Sequence, residues 1–390
     1  MGNSPIQTAR EKLVRVLETV NSKVIGHEEE NKMLLLCLVA KEHAVIIGAP
    51  GTAKSYTLQL ISKLIGAKYW KYMFTRTTTD TEVLGTFDVK VLREAGELKR
   101  KWTEIVNADI LIFEEVFKGS SIILNALLSL LQERIVYDPV TGAEIQTKVW
   151  TVFGTSNEVP AEEELQAFYD RFTVRIFVDY LQDDVLILRA LEARWLQNNS
   201  VTQMASMDDV RTLHEFALRI LRSTVKALGN KPFVHIYHAS AISMIKDLRS
   251  KGIVVSDRTI IEKLPKLVAS YCALFGVTLD NVMNSVIELL PYLAHDKSER
   301  DQIKKYLNEA LGEVGELAEA LERVRALVRS GNLEEALKTL EDRILSFDLS
   351  KLASRPWLKP RAEAIIQTAR QYYEKLRVQL ETLKKMAEEL

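Results

Sequence analysis

Residues 43–56 read His43-Ala-Val-Ile-Ile-Gly48-Ala49-Pro50-Gly51-Thr52-Ala53-Lys54-Ser55-Tyr56, an apolar run followed by a glycine-bounded loop that closes on Lys-Ser. This order predicts a buried strand, a phosphate-binding loop (Walker A) and a helix, because glycines let successive N–H groups point at one anion and a helix N-terminus favours negative charge. We expect Lys54 to reach the outer phosphates of a nucleotide and Ser55 to ligate Mg²⁺. Ala53 stands where the pattern has a second glycine, so we expect it to take right-handed helical dihedrals and begin the helix.

The composition is that of an ordinary globular protein. The chain has 390 residues, 47% of them hydrophobic, with 52 basic and 53 acidic side chains, which predicts two or three domains and gives no sign of nucleic-acid binding. Cys37 and Cys272 lie far apart inside apolar helical patterns, which favours buried thiols over a disulfide or a metal site. No apolar stretch approaches membrane-spanning length and the first residues lack an apolar signal core, so we expect a cytoplasmic protein.

Strand and helix patterns alternate over the first 180 residues, which predicts a parallel α/β sheet. The runs that suit buried strands are 43–47, 109–113 and 149–155, and those that suit helices are 5–22, 27–41, the segment from 54, and about 121–133. Two stretches predict β-hairpins. In 86–101 the apolar residues Phe87, Val89 and Val91 alternate, and in 134–150 the sequence from Asp138 to Gly142 suits a turn.

After about residue 181 only helical patterns remain, at 183–198, 208–228, 236–251 and 257–275. A heptad seam then runs from 303 to 328, and a second seam runs from 369 to 390. These changes predict an α/β domain over 1–180, a helical domain over 181–295 and a helical extension over 296–390. The extension suits a helical hairpin packed on itself, which we favour, or a coiled-coil arm that grips a partner.

Polar residues at the ends of the predicted strands form a second chemical pattern. Glu114 and Glu115 follow the strand at 109–113, where an acid holds the Mg²⁺ shell (Walker B) and the next acid polarises the attacking water. Glu114 replaces the usual aspartate, and its extra methylene extends the carboxylate by about 1.5 Å. Asn157 follows the strand at 149–155, where an amide can orient the attacking water (sensor 1).

Three arginines are candidates for contacts with a γ-phosphate. Arg171 lies in a boundary segment from which it could project across a subunit interface as an arginine finger, and Arg175 is the alternative. Arg258 follows Ser256, a good helix N-cap, and could reach back to the same phosphate as sensor 2. Seen alone, each arginine is more often part of a surface ion pair.

These motifs, in this order, closely resemble the MoxR family of AAA+ ATPases, in the clade that carries extra hairpins. The matching segments are Gly48–Ser55, Ile112–Lys118, Ile123–Arg134, Thr155–Pro160, Tyr169–Phe172 and Val255–Arg258. The resemblance implies an AAA+ parallel-sheet nucleotide-binding domain with hairpin inserts, an all-helical lid domain and, beyond the family, a coiled-coil-like extension. It also implies that Val24-Ile25-Gly26 lines the adenine pocket. Alanine before the Walker lysine is common in the family.

The resemblance further implies a ring, usually a hexamer, with ATP and Mg²⁺ at each subunit interface. MoxR proteins are similar to chaperones that work with a von Willebrand factor A (vWA) partner to remodel or activate a client complex. The alternative is a ring that moves along or opens nucleic acid, as related replicative helicases do. Because the turn from Asp138 to Gly142 is acidic to neutral rather than basic, we favour protein remodelling. A third option is a switch that binds ATP and barely hydrolyses it.

Overall fold

In a computed structural model of the protein, the described residues are 4–138, 140–196, 201–226, 241–242, 244–253, 255–352 and 358–388. Their centre is a parallel sheet of five strands in the order β2-β5-β8-β1-β9. Two antiparallel pairs, β3-β4 and β6-β7, lie outside it. The strands are β1 (Ala44–Gly48), β2 (Tyr69–Met73), β3 (Gly85–Phe87), β4 (Arg100–Trp102), β5 (Ile110–Glu114), β6 (Ile135–Tyr137), β7 (Glu144–Gln146), β8 (Thr151–Ser156) and β9 (Val174–Val178).

Helices flank the sheet and form the rest of the described chain. No described helix is long and apolar enough to cross a membrane. The helices are α1 (Pro5–Lys23), α2 (Glu28–Ala40), α3 (Lys54–Leu64), α4 (Asp80–Leu84), α5 (Val89–Ala95), α6 (Ser121–Ala126), α7 (Leu128–Glu133), α8 (Glu163–Tyr169), α9 (Asp184–Trp195), α10 (Met207–Lys226), α11 (244–250), α12 (Leu264–Phe275), α13 (Leu279–Leu289), α14 (Lys297–Arg329), α15 (Leu333–Thr339) and α16 (Lys359–Glu388).

The parallel sheet confirms the predicted fold class, but the sequence analysis did not find its two edge strands. β5 and β8 are buried along their whole length and read as continuous apolar runs. β2, in contrast, is half-exposed and carries Lys71 between aromatic residues. β9 is buried but carries Arg175, which interrupts its apolar run.

The two predicted hairpins, at 86–101 and 134–150, both form, and each differs from its prediction in one feature. The strands β3 and β4 pair as expected, but Val89 and Val91 lie in a helix, α5, because Asp88 caps its first N–H groups and Gly96 ends it in the left-handed conformation. The second hairpin forms as predicted. Its Asp138 is not at an exposed tip: it is buried, and its carboxylate binds the buried Arg100 of β4 with Nε–Oδ2 at 3.1 Å. The helix predicted for 121–133 is divided at Leu127 into α6 and α7.

The chain forms two compact units, of which the first comprises residues 1–226 and 256–297. In this unit the helices after β9 pack with the sheet domain. Glu42, 2% exposed, accepts hydrogen bonds from Lys263 Nζ at 2.7 Å and Lys266 Nζ at 3.0 Å, and from Thr173 Oγ1 at 2.7 Å. Burial alone would raise the pKa of Glu42, but the two ammonium groups outweigh burial and lower it.

The second unit comprises residues 227–255 and 298–390. The first heptad seam lies on α14 and is buried within the chain, with Ile303, Leu307, Ala310, Val314, Leu317, Leu321 and Val324 all shielded from solvent. α16 packs against α15 and the π-helical turn that follows it, where Tyr373 Oη donates to Glu341 at 2.6 Å. α16 therefore packs on the segment that precedes it, whereas Leu383 of the second seam is 55% exposed. The end of the second seam, at 387 and 390, falls on side chains outside the described residues.

Candidate functional site

A cleft of about 300 Å³ lies at the carboxyl edge of the sheet, where β5 and β8 end. The phosphate-binding loop forms one wall and the Walker B acids form another. The cleft is lined by Pro50, Gly51, Thr52, Ala53, Lys54, Ser55, Tyr56, Met73, Glu114, Glu115, Thr155 and Asn157. Open parallel sheets bind ligands at this edge, so the strand order itself brings the predicted residues together.

The loop differs from its prediction at Ala53. Ala53 has φ 59° and ψ 14°, which is left-handed, and α3 begins one residue later at Lys54. Its φ is therefore the one that a second glycine would have adopted without strain. The first glycine is required for another reason: a Cβ on Gly48 would lie 2.2 Å from the carbonyl oxygen of Val178. The loop thus has a glycine where its backbone approaches Val178, and a strained left-handed residue at Ala53.

Lys54 is the first residue of α3, and its side chain folds back over the phosphate-binding loop. Its ammonium donates to the carbonyls of Gly48 at 2.5 Å and Ala49 at 2.8 Å, and to Asn157 Oδ1 at 3.3 Å. Burial lowers the pKa of Lys54, and the Glu115 carboxylate offsets part of that shift. The contact with Asn157 brings the predicted sensor 1 and the Walker lysine to one point. The loop therefore presents a cation, held by carbonyl oxygens, to the cleft.

The two glutamates each have a lysine partner. Glu114, 7% exposed at its side chain, ends β5 and pairs with Lys71 of β2, with Oε2–Nζ at 3.2 Å. Glu115, 18% exposed, pairs with Lys118, with Oε2–Nζ at 3.1 Å. Glu115 also has φ 49° and ψ 42°, a left-handed conformation that costs energy in a residue other than glycine. The chain therefore turns sharply between the acids, and Glu115 is placed by a strained backbone, as catalytic groups often are.

The segment expected to line the adenine pocket is outside the cleft lining and lies against the residues just after β9. Val24 and Ile25 are buried, and a Cβ on Gly26, which has φ +80°, would lie 2.4 Å from Leu181 Cδ2. The residue before Leu181 is Tyr180, whose hydroxyl donates to the carbonyl of Pro50 at 3.0 Å. Val24-Ile25-Gly26 is thus connected to the phosphate-binding loop through residues just after β9. Tyr180 was missed in the sequence because that strand was missed.

Arg175 has a structural role. It is 9% exposed, its Nη2 binds Asp170 Oδ1 at 3.1 Å, and its guanidinium lies 4.5 Å from the ring centroid of Tyr169. Its Nη1 donates to the carbonyls of Leu293 and Ala294, both at 3.4 Å. A side chain held in this way is unavailable to a neighbouring subunit, which argues against Arg175 as the arginine finger.

Arg171 and Arg258 lie near each other and outside the cleft lining. Arg171 is held by α7: with the Gln132 amide oxygen turned toward it, Nε and Nη2 donate at 2.7 and 2.6 Å. Burial lowers the pKa of Arg171, and repulsion from Arg258 lowers it further. Ser256 caps the turn as predicted, accepting from Thr259 N at 3.2 Å, and Arg258 Nε donates to Glu262. The structure does not bring Arg258 to the cleft of its own chain, where a sensor 2 acting in cis would lie.

The donor set of the cleft fits a magnesium ion held mainly by water and phosphate. Ser55 supplies a hydroxyl from the loop wall and Glu114 a buried carboxylate from the wall of Walker B acids, and Mg²⁺ prefers oxygen ligands while keeping several waters. Among the described residues no group of three or more His, Cys, Asp or Glu side chains forms an all-protein metal cage. The site therefore suits an ion that arrives with a phosphate ligand.

Comparisons with known proteins agree with this geometry. Residues 11–216 match the family model described as the MoxR domain in the MoxR-vWA-beta-propeller ternary systems. An uncharacterized protein of Methanocaldococcus jannaschii is 32% identical over 266 residues, which cover 68% of this chain and 66% of that protein. Chaperone MoxR1 of Mycobacterium tuberculosis is 26% identical over 172 residues, 43% of this chain and 44% of that protein. The chain thus spans only part of the length of these relatives.

The fold has a counterpart among solved structures. The crystal structure of an ATPase candidate from Cytophaga hutchinsonii superimposes with a TM-score of 0.57 over 79% of this chain and 95% of that one, at 19% sequence identity. That likeness concerns the fold alone. Together with the match of the family model over more than half of the chain, residues 11–216 of 390, it leads to one conclusion: the chain belongs to the MoxR family of AAA+ ATPases.

Proposed function

We propose that this protein is a Mg²⁺-dependent ATPase that forms a ring, usually a hexamer in this family, and remodels or activates a client protein complex. The observation that carries the proposal is the cleft itself, which unites Lys54, Ser55, Glu114, Glu115 and Asn157 at one sheet edge. A phosphate-binding loop alone indicates only nucleotide binding. The two acids and the amide at the ends of β5 and β8 add the groups that hydrolysis requires.

Each residue has a distinct part in the reaction. Lys54 would exchange its carbonyl partners for the outer phosphate oxygens, and Ser55 would hold the metal. Mg²⁺, when bound, supplies positive charge to the phosphates. Glu115 would accept the proton of the attacking water, while Asn157, already in contact with Lys54, would orient that water. Val24, Ile25 and Gly26 would hold the adenine, and Tyr180 would fix the loop at Pro50.

The two clustered arginines would act in trans. Arg171 and Arg258 repel each other in the free chain and lie outside the cleft. A γ-phosphate of a neighbouring subunit would relieve that repulsion by placing negative charge between them. In this arrangement each site is incomplete without a second subunit.

The client is proposed to be a protein, reached with a vWA partner, because the matching family model describes ternary systems of MoxR, vWA and beta-propeller proteins. The structure offers little to nucleic acid at the hairpin tip: Val140, Thr141, Gly142 and Ala143 are exposed and uncharged, and Asp138 is buried. The first insert exposes Arg93, Lys99 and Lys101 together with Glu94 and Glu97, a mixed surface.

Two variants test the ATPase proposal. Lys54→Ala should abolish nucleotide binding in a folded protein, as measured by fluorescent-nucleotide affinity and circular dichroism. Glu115→Gln should bind ATP normally and turn it over more slowly by roughly 10²-fold or more, because a general base acts chiefly in the transition state. Wild-type turnover in Glu115→Gln would place the base elsewhere.

The trans role is tested by mixing variants. Arg171→Ala should bind ATP nearly normally and hydrolyse it poorly, since its own cleft is intact. Co-assembly with Lys54→Ala should restore part of the activity in composite sites that combine an intact cleft with an intact arginine. If confirmed mixed assemblies never exceed either single variant, the arginine acts in its own subunit. The partner proposal is tested by asking whether the ATP-locked Glu115→Gln protein retains a vWA-domain protein from native lysate.

A further inference from the structure

Lys71 is the one lysine of β2, and its ammonium lies 3.2 Å from Oε2 of Glu114. The two strands run parallel, with Lys71 opposite Ile112 and Met73 opposite Glu114. Side chains two residues apart on a strand share a face, so Lys71 is the diagonal neighbour of Glu114 on the face that also carries Met73 of the cleft. The register of the sheet therefore fixes this contact.

The contact explains why a glutamate can stand at this position. An aspartate is shorter by one methylene, about 1.5 Å, and its carboxylate would fall out of ion-pair range of Lys71. Glu114 is nearly buried, and a buried carboxylate needs a counter-charge or hydrogen bonds when no metal is present. Lys71 supplies that charge from β2, outside the motifs that identify the nucleotide site.

The same contact sets up a competition. The carboxylate that pairs with Lys71 is the one expected to hold the water shell of Mg²⁺, so ammonium and metal share one anion and repel each other. Lys71 is 42% exposed at its side chain, and solvent screening limits the repulsion to a modest effect. Lys118 makes a similar pair with Glu115 but is 56% exposed, so its effect is screened more strongly.

We propose that Lys71 sets the Mg²⁺ requirement of the nucleotide site by sharing the Glu114 carboxylate with the metal. Lys71 is a positioning residue that acts through Glu114, and the proposal rests on the ATPase function above. With the Lys71 ammonium in place, the negative charge of Glu114 is compensated until Mg²⁺ arrives with nucleotide. Without the ammonium, the acid is free and the metal binds at lower concentration.

The test is a Mg²⁺ titration of fluorescent-ATP affinity in the full-length protein, which reads binding rather than turnover. Lys71→Met should lower the Mg²⁺ concentration that gives half of the gain in affinity by about 2- to 5-fold. Lys71→Arg keeps the charge and should stay close to wild type. Lys68→Met is the matched control, because Lys68 lies just before β2 and pairs with Glu104 at the surface, and it should leave the titration unchanged.

A double-mutant cycle shows whether Lys71 acts through Glu114. In a Glu114→Asp background the ion pair is already out of reach, so adding Lys71→Met should change the Mg²⁺ requirement by less than twofold. A Lys71→Met protein with an unchanged or higher requirement overturns the proposal, as does an equal effect of Lys71→Met in both backgrounds. Wild-type protein that binds no nucleotide at any Mg²⁺ concentration overturns the ATPase function itself, and this proposal with it.

Discussion

The buried ion pair between Arg100 and Asp138 ties the first insert to the second hairpin, and Asp138→Asn tests what that tie contributes. Both side chains are 1% exposed. Asp138 accepts from Nε and Nη2 of Arg100, each at 3.1 Å, while Arg100 Nη1 donates to the carbonyl of Gly85 at 2.6 Å. Asparagine keeps the shape of aspartate but removes the charge and replaces one of the two acceptor oxygens with an NH2 group, which cannot accept from Arg100. The variant leaves the Arg100 cation buried, and its remaining acidic partner among the described residues is the more exposed Asp80.

Two independent estimates give the free energy of unfolding that Asp138→Asn should lose. Removing one partner of a buried ion pair typically costs about 3–5 kcal/mol. Burial alone would raise the pKa of Asp138, but the hydrogen bonds from Arg100, Val140 and Thr141 outweigh burial and hold that pKa at about 2 instead of 3.8. At 1.36 kcal/mol per unit, the shift corresponds to roughly 2 kcal/mol of stabilisation of the ionised form. Because the introduced asparagine would still accept from the N–H of Val140 and from Arg100, we expect a loss of about 2–3 kcal/mol.

The assay combines urea denaturation at pH 7 with hydrogen exchange of residues 85–102 and 135–146. The pKa of Asp138 is lower in the folded state than in the unfolded one, so the stabilisation is complete above about pH 4 and is lost as pH falls toward 2. The difference between wild type and Asp138→Asn should shrink over that range. Asp80→Asn, which changes a 39% exposed partner of the same arginine, should cost less than about 1 kcal/mol. An Asp138→Asn protein that loses no more than Asp80→Asn would refute the reasoning.

Three further predictions follow from contacts in the structure. Ala53→Gly should raise the melting temperature, because glycine adopts the left-handed conformation at this position without the strain of about 1 kcal/mol that alanine carries. Nucleotide affinity should stay unchanged. A lower melting temperature contradicts this prediction. Glu42→Gln should destabilise the fold at pH 7 by about 3 kcal/mol, since it deprives Lys263 and Lys266 of their buried acid, and the loss should diminish at acid pH, where Glu42 of wild type is protonated; a loss that is the same at both pH values contradicts this. A chain ending at Asp296 should aggregate in light scattering, because residues 227–255 form one unit with the removed segment and the buried Met244 and Leu248 would lose that partner; a soluble monomer contradicts this.

The last of these reverses what the sequence alone suggested. The heptad seams make the extension look separable at about residue 296, and the domain limits of 1–180, 181–295 and 296–390 rest on the same pattern. In the structure Lys251 lies over the ring of Tyr306, 5.6 Å from its centroid, within a unit that joins 227–255 to the extension. A composition change marks where a pattern begins, whereas a compact unit depends on which distant segments touch.

From the sequence alone, the phosphate-binding motif and the three central strands of the sheet are predictable. Phosphate binding needs glycine, lysine and a hydroxyl at fixed local spacing, so Gly48, Lys54 and Ser55 are readable without tertiary contacts. The strands β1, β5 and β8 are readable for a similar reason, since a strand buried on both faces must be apolar throughout. These local signals also suffice to identify the family.

The roles of the charged residues are visible only in the tertiary structure, because the partners of their ion pairs and hydrogen bonds come from distant parts of the chain. Asp138, expected in an exposed turn, is the buried partner of Arg100, 38 residues away. Arg175, the alternative to Arg171 in the sequence, is bound to carbonyls more than a hundred residues further on. Lys71 forms an ion pair with Glu114 because the register of β2 against β5 fixes the distance between the two side chains. A buried charge is stable only with a partner, and the partner is selected by the packing of strands and helices, which spacing along the chain does not encode.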